Sequence, residues 1–137
     1  MGGAPPGILP DGSEGFVGFP YRTSEDCDNA VRNELEVQLN NTPSVLVTHF
    51  PPFDIGKIDF RGATAEAGSK GLENFIKASK ELLVTTVCGH LHSQFWHESY
   101  NGTSALNAGS VLKLNYAVLY IETGDVVRVN RVELKTF

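Results

Sequence analysis

Ser44-Val45-Leu46-Val47-Thr48-His49 and Leu82-Leu83-Val84-Thr85-Thr86-Val87-Cys88-Gly89-His90 are the two stretches that decide the fold. Each is a short run rich in aliphatic and β-branched residues, without the polar alternation of a half-exposed strand, so each reads as a strand covered on both faces. Between them lie a Gly-containing loop, Pro51 to Gly68, and a helix that Ser69 caps, with Leu72, Phe75 and Ile76 on its buried face. Strand, helix and strand over 44–88 have the spacing of one parallel βαβ unit.

Working outward, a second helix precedes this unit. Thr23 and Ser24 can cap it, acids fill its first turn, and Cys27, Val31, Leu35 and Leu39 recur every fourth residue before Asn40-Asn41-Thr42-Pro43 ends it. Gly15 to Phe19 is a short apolar strand candidate stopped by Pro20. Residues 1–14, rich in Gly and Pro, read as a flexible N-terminal segment. Downstream the pattern changes to hairpins. Asn101-Gly102 is a two-residue turn signal, and Thr123-Gly124-Asp125 separates Tyr116–Ile121 from Val126–Leu134. The 137 residues thus predict a single α/β domain, a parallel βαβ unit running into antiparallel hairpins.

Composition narrows the function classes. The chain is 41% hydrophobic and 20% charged, with formal net charge −5, and seven acids against two bases up to Asn40 account for the whole imbalance. No basic face suits nucleic-acid binding, and no apolar run approaches the roughly 20 residues that span a bilayer. Met1-Gly2-Gly3-Ala4-Pro5-Pro6 lacks the basic start and apolar stretch of a signal peptide. Cys27 and Cys88 are too few for a disulfide framework and read as reduced buried thiols, so a cytoplasmic location is the expectation.

Three of the four histidines directly follow the two deciding strands: His49 after the first, His90 and His92 after the second. Ligands of open α/β sheets bind beyond the carboxyl ends of strands, and adjacent parallel strands bring His49 and Gly89-His90-Leu91-His92 to one edge. On extended backbone an i, i+2 pair points to one side, and Gly89 allows a sharp turn. A histidine at a strand end serves as a hydrogen-bonding cap or as a ligand; the three together favour metal binding, with imidazole suiting Zn, Fe, Ni or Mn. His97, beside Trp96, reads as an ordinary strand residue. Asp54, Lys57, Asp59 and Arg61 read first as a solvated loop, and second as a source of an acidic ligand or a phosphate contact. The start of the Ser69 helix is a further place for an anion.

Thr48-His49-Phe50-Pro51-Pro52, Gly68-Ser69-Lys70-Gly71-Leu72, Gly89-His90-Leu91-His92 and Asn107-Ala108-Gly109-Ser110, in that order, resemble the C-terminal half of the calcineurin-like metallophosphoesterases. The resemblance implies a four-layer α/β/β/α β-sandwich, of which this chain is an incomplete C-terminal portion. It also implies a centre of divalent metal ions in which His49 and His90 hold one metal and His92 the other. The implied activity is hydrolysis of phosphate mono- or diesters, a phosphatase or phosphodiesterase. The family's Asp-x-His, Gly-Asp-x-x-Asp and Gly-Asn-His-Asp/Glu motifs are absent; Gly124-Asp125 is followed by Val126-Val127-Arg128 and lies out of order. The expected enzyme is therefore weak or inactive alone, with a complementing N-terminal half or a homo-oligomer completing the site. The alternative is a non-catalytic metal-binding or protein-interaction module whose inner apolar sheet face drives association. Other His-x-His readings fail on spacing, because Ser93-Gln94-Phe95 follows His92 where a metallo-β-lactamase-type site needs Asp-His.

Overall fold

The computed structural model describes residues 3–35, 39 and 41–137. Its core is the predicted βαβ unit. Strand β3 (Ser44–Val47) pairs in parallel with β6 (Leu83–Cys88), and helix α2 (Lys70–Ser79) lies between them in sequence. β6 pairs in parallel with β8 (Thr103–Asn107), which pairs antiparallel with β7 (Trp96–Tyr100), giving the sheet order β3-β6-β8-β7. The β7–β8 hairpin turns at Asn101-Gly102, both at positive φ, as a tight type I′-like connection requires.

Helix α1 (Ser24–Leu35) begins with a reciprocal cap: Asp26 N donates to Thr23 Oγ1 at 3.0 Å, and Thr23 N donates to Asp26 Oδ2 at 3.2 Å. It buries Cys27, Val31 and Leu35 against Leu72, Phe75 and Ile76 of α2 and against Leu83, Tyr100 and Ala105 of the sheet. Leu39 packs beside this cluster, while the predicted helix end at Asn40 and the Met1-Gly2 start lie outside the described residues. The two helices are also tied by polar bonds. Asp28 of α1 accepts from Ser69 Oγ and from Gly71 N, each at 2.7 Å, and Leu72 N donates to Ser69 Oγ at 3.1 Å. The start of α2 is thus occupied by an internal carboxylate, so its N–H groups are not an open site for a substrate anion. A Cβ on Gly71 would lie 2.7 Å from Asp28 Cα, so the approach needs glycine.

Three sequence expectations change. β3 is not covered on both faces: Leu46 faces the helix-side cluster, but Val45 is 39% and Val47 63% exposed. The strand lies at the sheet edge, and the face that carries Val45 and Val47 is the more exposed one. The stretch from Pro51 to Gly68 is not simply a loop, because it contains the antiparallel pair β4 (Lys57–Phe60) and β5 (Ala63–Glu66), turning at Arg61-Gly62, both at positive φ. These strands belong to a second sheet, β2-β1-β5-β4, completed by β1 (Gly7–Ile8) and β2 (Glu14–Phe16). The Gly/Pro-rich opening therefore supplies a strand, and Pro5, Pro6 and Gly7 are buried. The last hairpin, β9 (Asn115–Glu122) with β10 (Arg128–Thr136), forms a third sheet, and β10 lies against β6 and β7.

Among the described residues the result is a mixed α/β fold, mostly β-sheet with two helices. Among the described residues no helix is long and apolar enough to cross a membrane.

Two outcomes are expected. Ser69→Ala removes both the cap of α2 and its bond to Asp28, and lowers unfolding free energy by about 1–2 kcal/mol in urea titrations with unchanged m-value. Burial pushes the Cys27 and Cys88 thiols up to about 12, so native protein at pH 8 resists iodoacetamide and the urea-unfolded chain is labelled at both. The unfolded thiols ionise first, near about 8.5; their contribution to stability is therefore full below that pH and falls as pH rises from there toward 12.

Candidate metal centre

The ladder between β3 and β6 does not stop where the strands end. Thr48 N donates to Val87 O at 2.9 Å and Gly89 N donates to His49 O at 3.0 Å, so each chain leaves the sheet still bonded to the other. Burial then aims the side chains. Thr48 and Phe50 are buried on either side of exposed His49, and Thr48 Oγ1 donates to Phe50 O at 2.7 Å. Phe50 is held by Tyr21 edge-on, with ring centroids 6.3 Å apart. Beyond it, Ser69 N donates to Pro51 O and Phe53 N to Ser69 O, fastening the buried Pro51-Pro52 pair to the start of α2. His49 is displayed by residues that cannot move without disturbing the core.

Gly89-His90-Leu91-His92 is built on the same plan. Leu91 is buried between a half-buried His90 and an exposed His92. The backbone is a tight turn rather than the extended segment expected, with Leu91 N donating to Gly89 O, His92 N to His90 O and Gln94 N to Leu91 O. The sharp conformation falls on His90 (φ 66°) and not on Gly89, where an added Cβ would meet nothing nearer than His49 O at 3.6 Å. A left-handed non-glycine residue carries local strain of order 1 kcal/mol, and such strain concentrates at functional sites.

The structure brings two of the residues that the sequence singled out, His49 and His90, close together. The His49 and His90 rings lie 5.2 Å apart between centroids, inclined at 63°. Burial, then the repulsion of the His49 and His92 imidazoles, hold the His90 imidazole below the usual histidine range. His90 is therefore neutral at physiological pH, the form in which imidazole offers a lone pair. Asp59 and His92 border one cleft, whereas Asp54 belongs elsewhere, its N donating to Glu66 Oε2 at 3.2 Å. The Arg61 guanidinium lies over the Phe60 ring, 5.2 Å from its centroid. His97 is an exposed residue of β7, as expected. Among the described residues no group of three or more His, Cys, Asp or Glu side chains is arranged to hold a metal ion.

Asn107 is the residue whose part was not legible. It is fully buried at the end of β8, paired with Cys88, and accepts from Gly109 N at 2.9 Å. Its Nδ2 reaches toward Gly89 O and Leu91 O at 3.5 and 3.4 Å, long contacts that nevertheless face both carbonyls of the histidine turn. Gln94 straps the far side of that turn, donating to Lys57 O of β4 and accepting from Trp96 Nε1 at 2.8 Å. A cavity of about 540 Å³ between α1 and α2, bordered by Asp28, Arg32 and Phe75, lies away from all of these groups.

No protein-family profile, curated protein or solved structure matches the chain.

Backbone strain at the turn gives a direct check. His90→Gly is expected to be more stable than His90→Ala by about 1 kcal/mol in urea unfolding, and Gly89→Ala to change stability by less than about 0.5 kcal/mol. The reverse ranking would move the strained position to Gly89.

Proposed function

We propose that this chain is the C-terminal, histidine-bearing portion of a metallophosphoesterase, a hydrolase of phosphate mono- or diesters with little activity by itself. The observation that carries the reading is the pair of imidazoles, 5.2 Å apart, from two separate strand ends joined by the Gly89 N to His49 O bond. The Thr48-to-Pro52, Gly89-to-His92 and Asn107-to-Ser110 stretches that resemble that family meet at this edge. The reading extends to the family's four-layer sandwich, of which the sheets and helices here supply part, and to a reducing, cytoplasmic setting suited to two buried free thiols.

The donor chemistry fits one divalent ion and not two. Imidazole is a ligand suited to Zn, Fe, Ni or Mn, and Asp59, which borders the cleft of His90 and His92, is a single carboxylate, too little charge to offset two dications. His49 and His92 are exposed, so their rings turn at little cost, while His90 is half-buried. An ion held there supplies positive charge that polarises a phosphoryl oxygen and acidifies water. The chain's own contribution is orientation: Phe50 and Leu91 anchor the backbone on each side, and Asn107 and Gln94 hold the turn. Asn107 and Gln94 touch the turn rather than the imidazoles and are positioning residues.

Association with a complementing half or a second copy is part of the same proposal. Val45 and Val47 of edge strand β3 present an apolar face that a further sheet layer would cover. The same face supports the second reading, a metal-binding or interaction module without catalysis.

Calorimetric titration with Zn²⁺ and Mn²⁺ separates these. One ion per chain is expected, with affinity lowered at least about 100-fold by His49→Ala or His90→Ala and about 10–100-fold by Asn107→Ala. Hydrolysis of p-nitrophenyl phosphate is expected well below the roughly 10 s⁻¹ of a median enzyme. Two tightly held ions with robust turnover would overturn the half-enzyme view, and no ion bound would leave only the interaction module.

A further inference from the structure

The last hairpin lies against β6 and β7 but joins neither of the larger sheets. β9 and β10 are the longest strands, eight and nine residues, yet among the described residues they pair only with each other. A two-stranded sheet is marginal in water and gains independent stability from a third strand or more. A long open edge also offers a row of backbone donors and acceptors on which another strand can form. The register of the hairpin sorts its side chains. Ala117, Leu119, Val132 and Leu134 share one face, while Tyr116, Val118 and Tyr120 share the other with Lys135, Glu133 and Arg131. On that second face Glu133 takes both neighbouring cations, Arg131 at 2.8 Å and Lys135 at 2.7 Å. The Arg131 guanidinium also lies over the Tyr120 ring, 4.2 Å from its centroid.

The order of these charges determines what the edge can accept. β10 runs from Arg128 to Thr136, and Val132 is its midpoint. Two antiparallel copies of β10 related by a twofold axis at Val132 overlap end to end. Each Val132 then faces the other, and each Arg131 faces the second copy's Glu133, so opposite charges meet at two places. Moving the axis by one residue sets Arg131 against Arg131 or Glu133 against Glu133, like charges that oppose pairing. Strand β9 has no charged residue before Glu122, so its side chains fix no register on the other edge. The chain exposes 7816 Å² of surface. A compact monomer of its mass exposes roughly 7,000 Å², and the difference is close to the ~800 Å² that each partner gives to a standard interface. We propose that the open edge of β10 is a homodimer surface whose occupant is β10 of a second copy, giving one continuous four-stranded sheet β9-β10-β10-β9. The inference rests on the association in the function proposed above, for which it names the surface, and it requires no metal ion.

Sedimentation equilibrium of the full chain at about 0.15 M salt, without added metal, tests this. A dimer is expected. Arg131→Glu or Glu133→Arg alone is expected to weaken it roughly tenfold or more, since each sets like charges together twice. Mixing the two variants restores opposite charges at both places, so a heterodimer tighter than either variant with itself is expected, which also shows that both fold. Val132→Cys is expected to form a covalent dimer under diamide, because the two thiols face each other within disulfide reach. Thr136→Cys, roughly 25 Å from its mate, is expected not to link. Native Cys27 and Cys88 are buried and stay outside the reaction. A chain that stays monomeric at all concentrations would overturn the inference. So would a dimer indifferent to the charge variants, variants that stay apart when mixed, or no link at Val132; a dimer with those properties would move association to another face, such as that of Val45 and Val47. Zinc titration reads the metal centre separately, and a chain that binds no zinc but dimerises through Val132 would leave this surface standing.

Discussion

Parallel pairing of β3 with β6 is the constraint from which the rest follows. Two strands far apart in sequence are locked side by side, and the ladder runs on through Thr48 N to Val87 O and Gly89 N to His49 O after the regular strands have ended. Without that extension, His49 and His90 would hang from independent loops, and loops carry the conformational freedom that defeats preorganised ligation. With it, their separation is set by strand spacing and by Phe50 and Leu91, which bury themselves on either side. The imidazoles inherit the rigidity of the core.

The same logic explains why a short chain needs the β4–β5 hairpin. Its strands carry Glu66, whose carboxylate accepts from Asp54 N and Gly68 N and closes the approach to α2. Burial raises the Glu66 pKa against those bonds. On the other side of the hairpin, Lys57 O receives Gln94, so one small sheet braces both the start of α2 and the histidine turn. The cleft next to His90 is a consequence of that bracing: Ile58 and Phe60 stand on β4 where it passes the turn.

The elements with strong local signals were legible in the sequence. Thr23 and Ser69 cap the two helices, Cys27, Val31, Leu35, Leu72, Phe75 and Ile76 are buried as their spacing predicts, and Asn101-Gly102 makes its turn. The proximity of His49 and His90 followed from two apolar strands of matching character. What escaped depends on tertiary context. Val45 and Val47 are as apolar as covered residues, and only the folded chain shows that they stay 39% and 63% exposed on an edge strand. Lys57 to Glu66 makes two four-residue strands around Arg61-Gly62, too short for a periodicity to stand out. Pro5 and Pro6 carry turn chemistry but lie buried beside β1. Glycine invites a sharp turn wherever it occurs, yet here the positive φ sits one residue later, on His90. Asn107 stood in a recognised stretch, but its contacts with Gly89 and Leu91 span 16 to 18 residues and leave no local trace.

The central claim is that three imidazoles from two strand ends act on one ion. Long-range ¹H–¹⁵N correlation spectra of the histidine side chains during zinc titration report on it ring by ring. The account expects His49, His90 and His92 to change together and to saturate at one equivalent, with His97 unmoved. Saturation of His90 and His92 with His49 unchanged would contradict it.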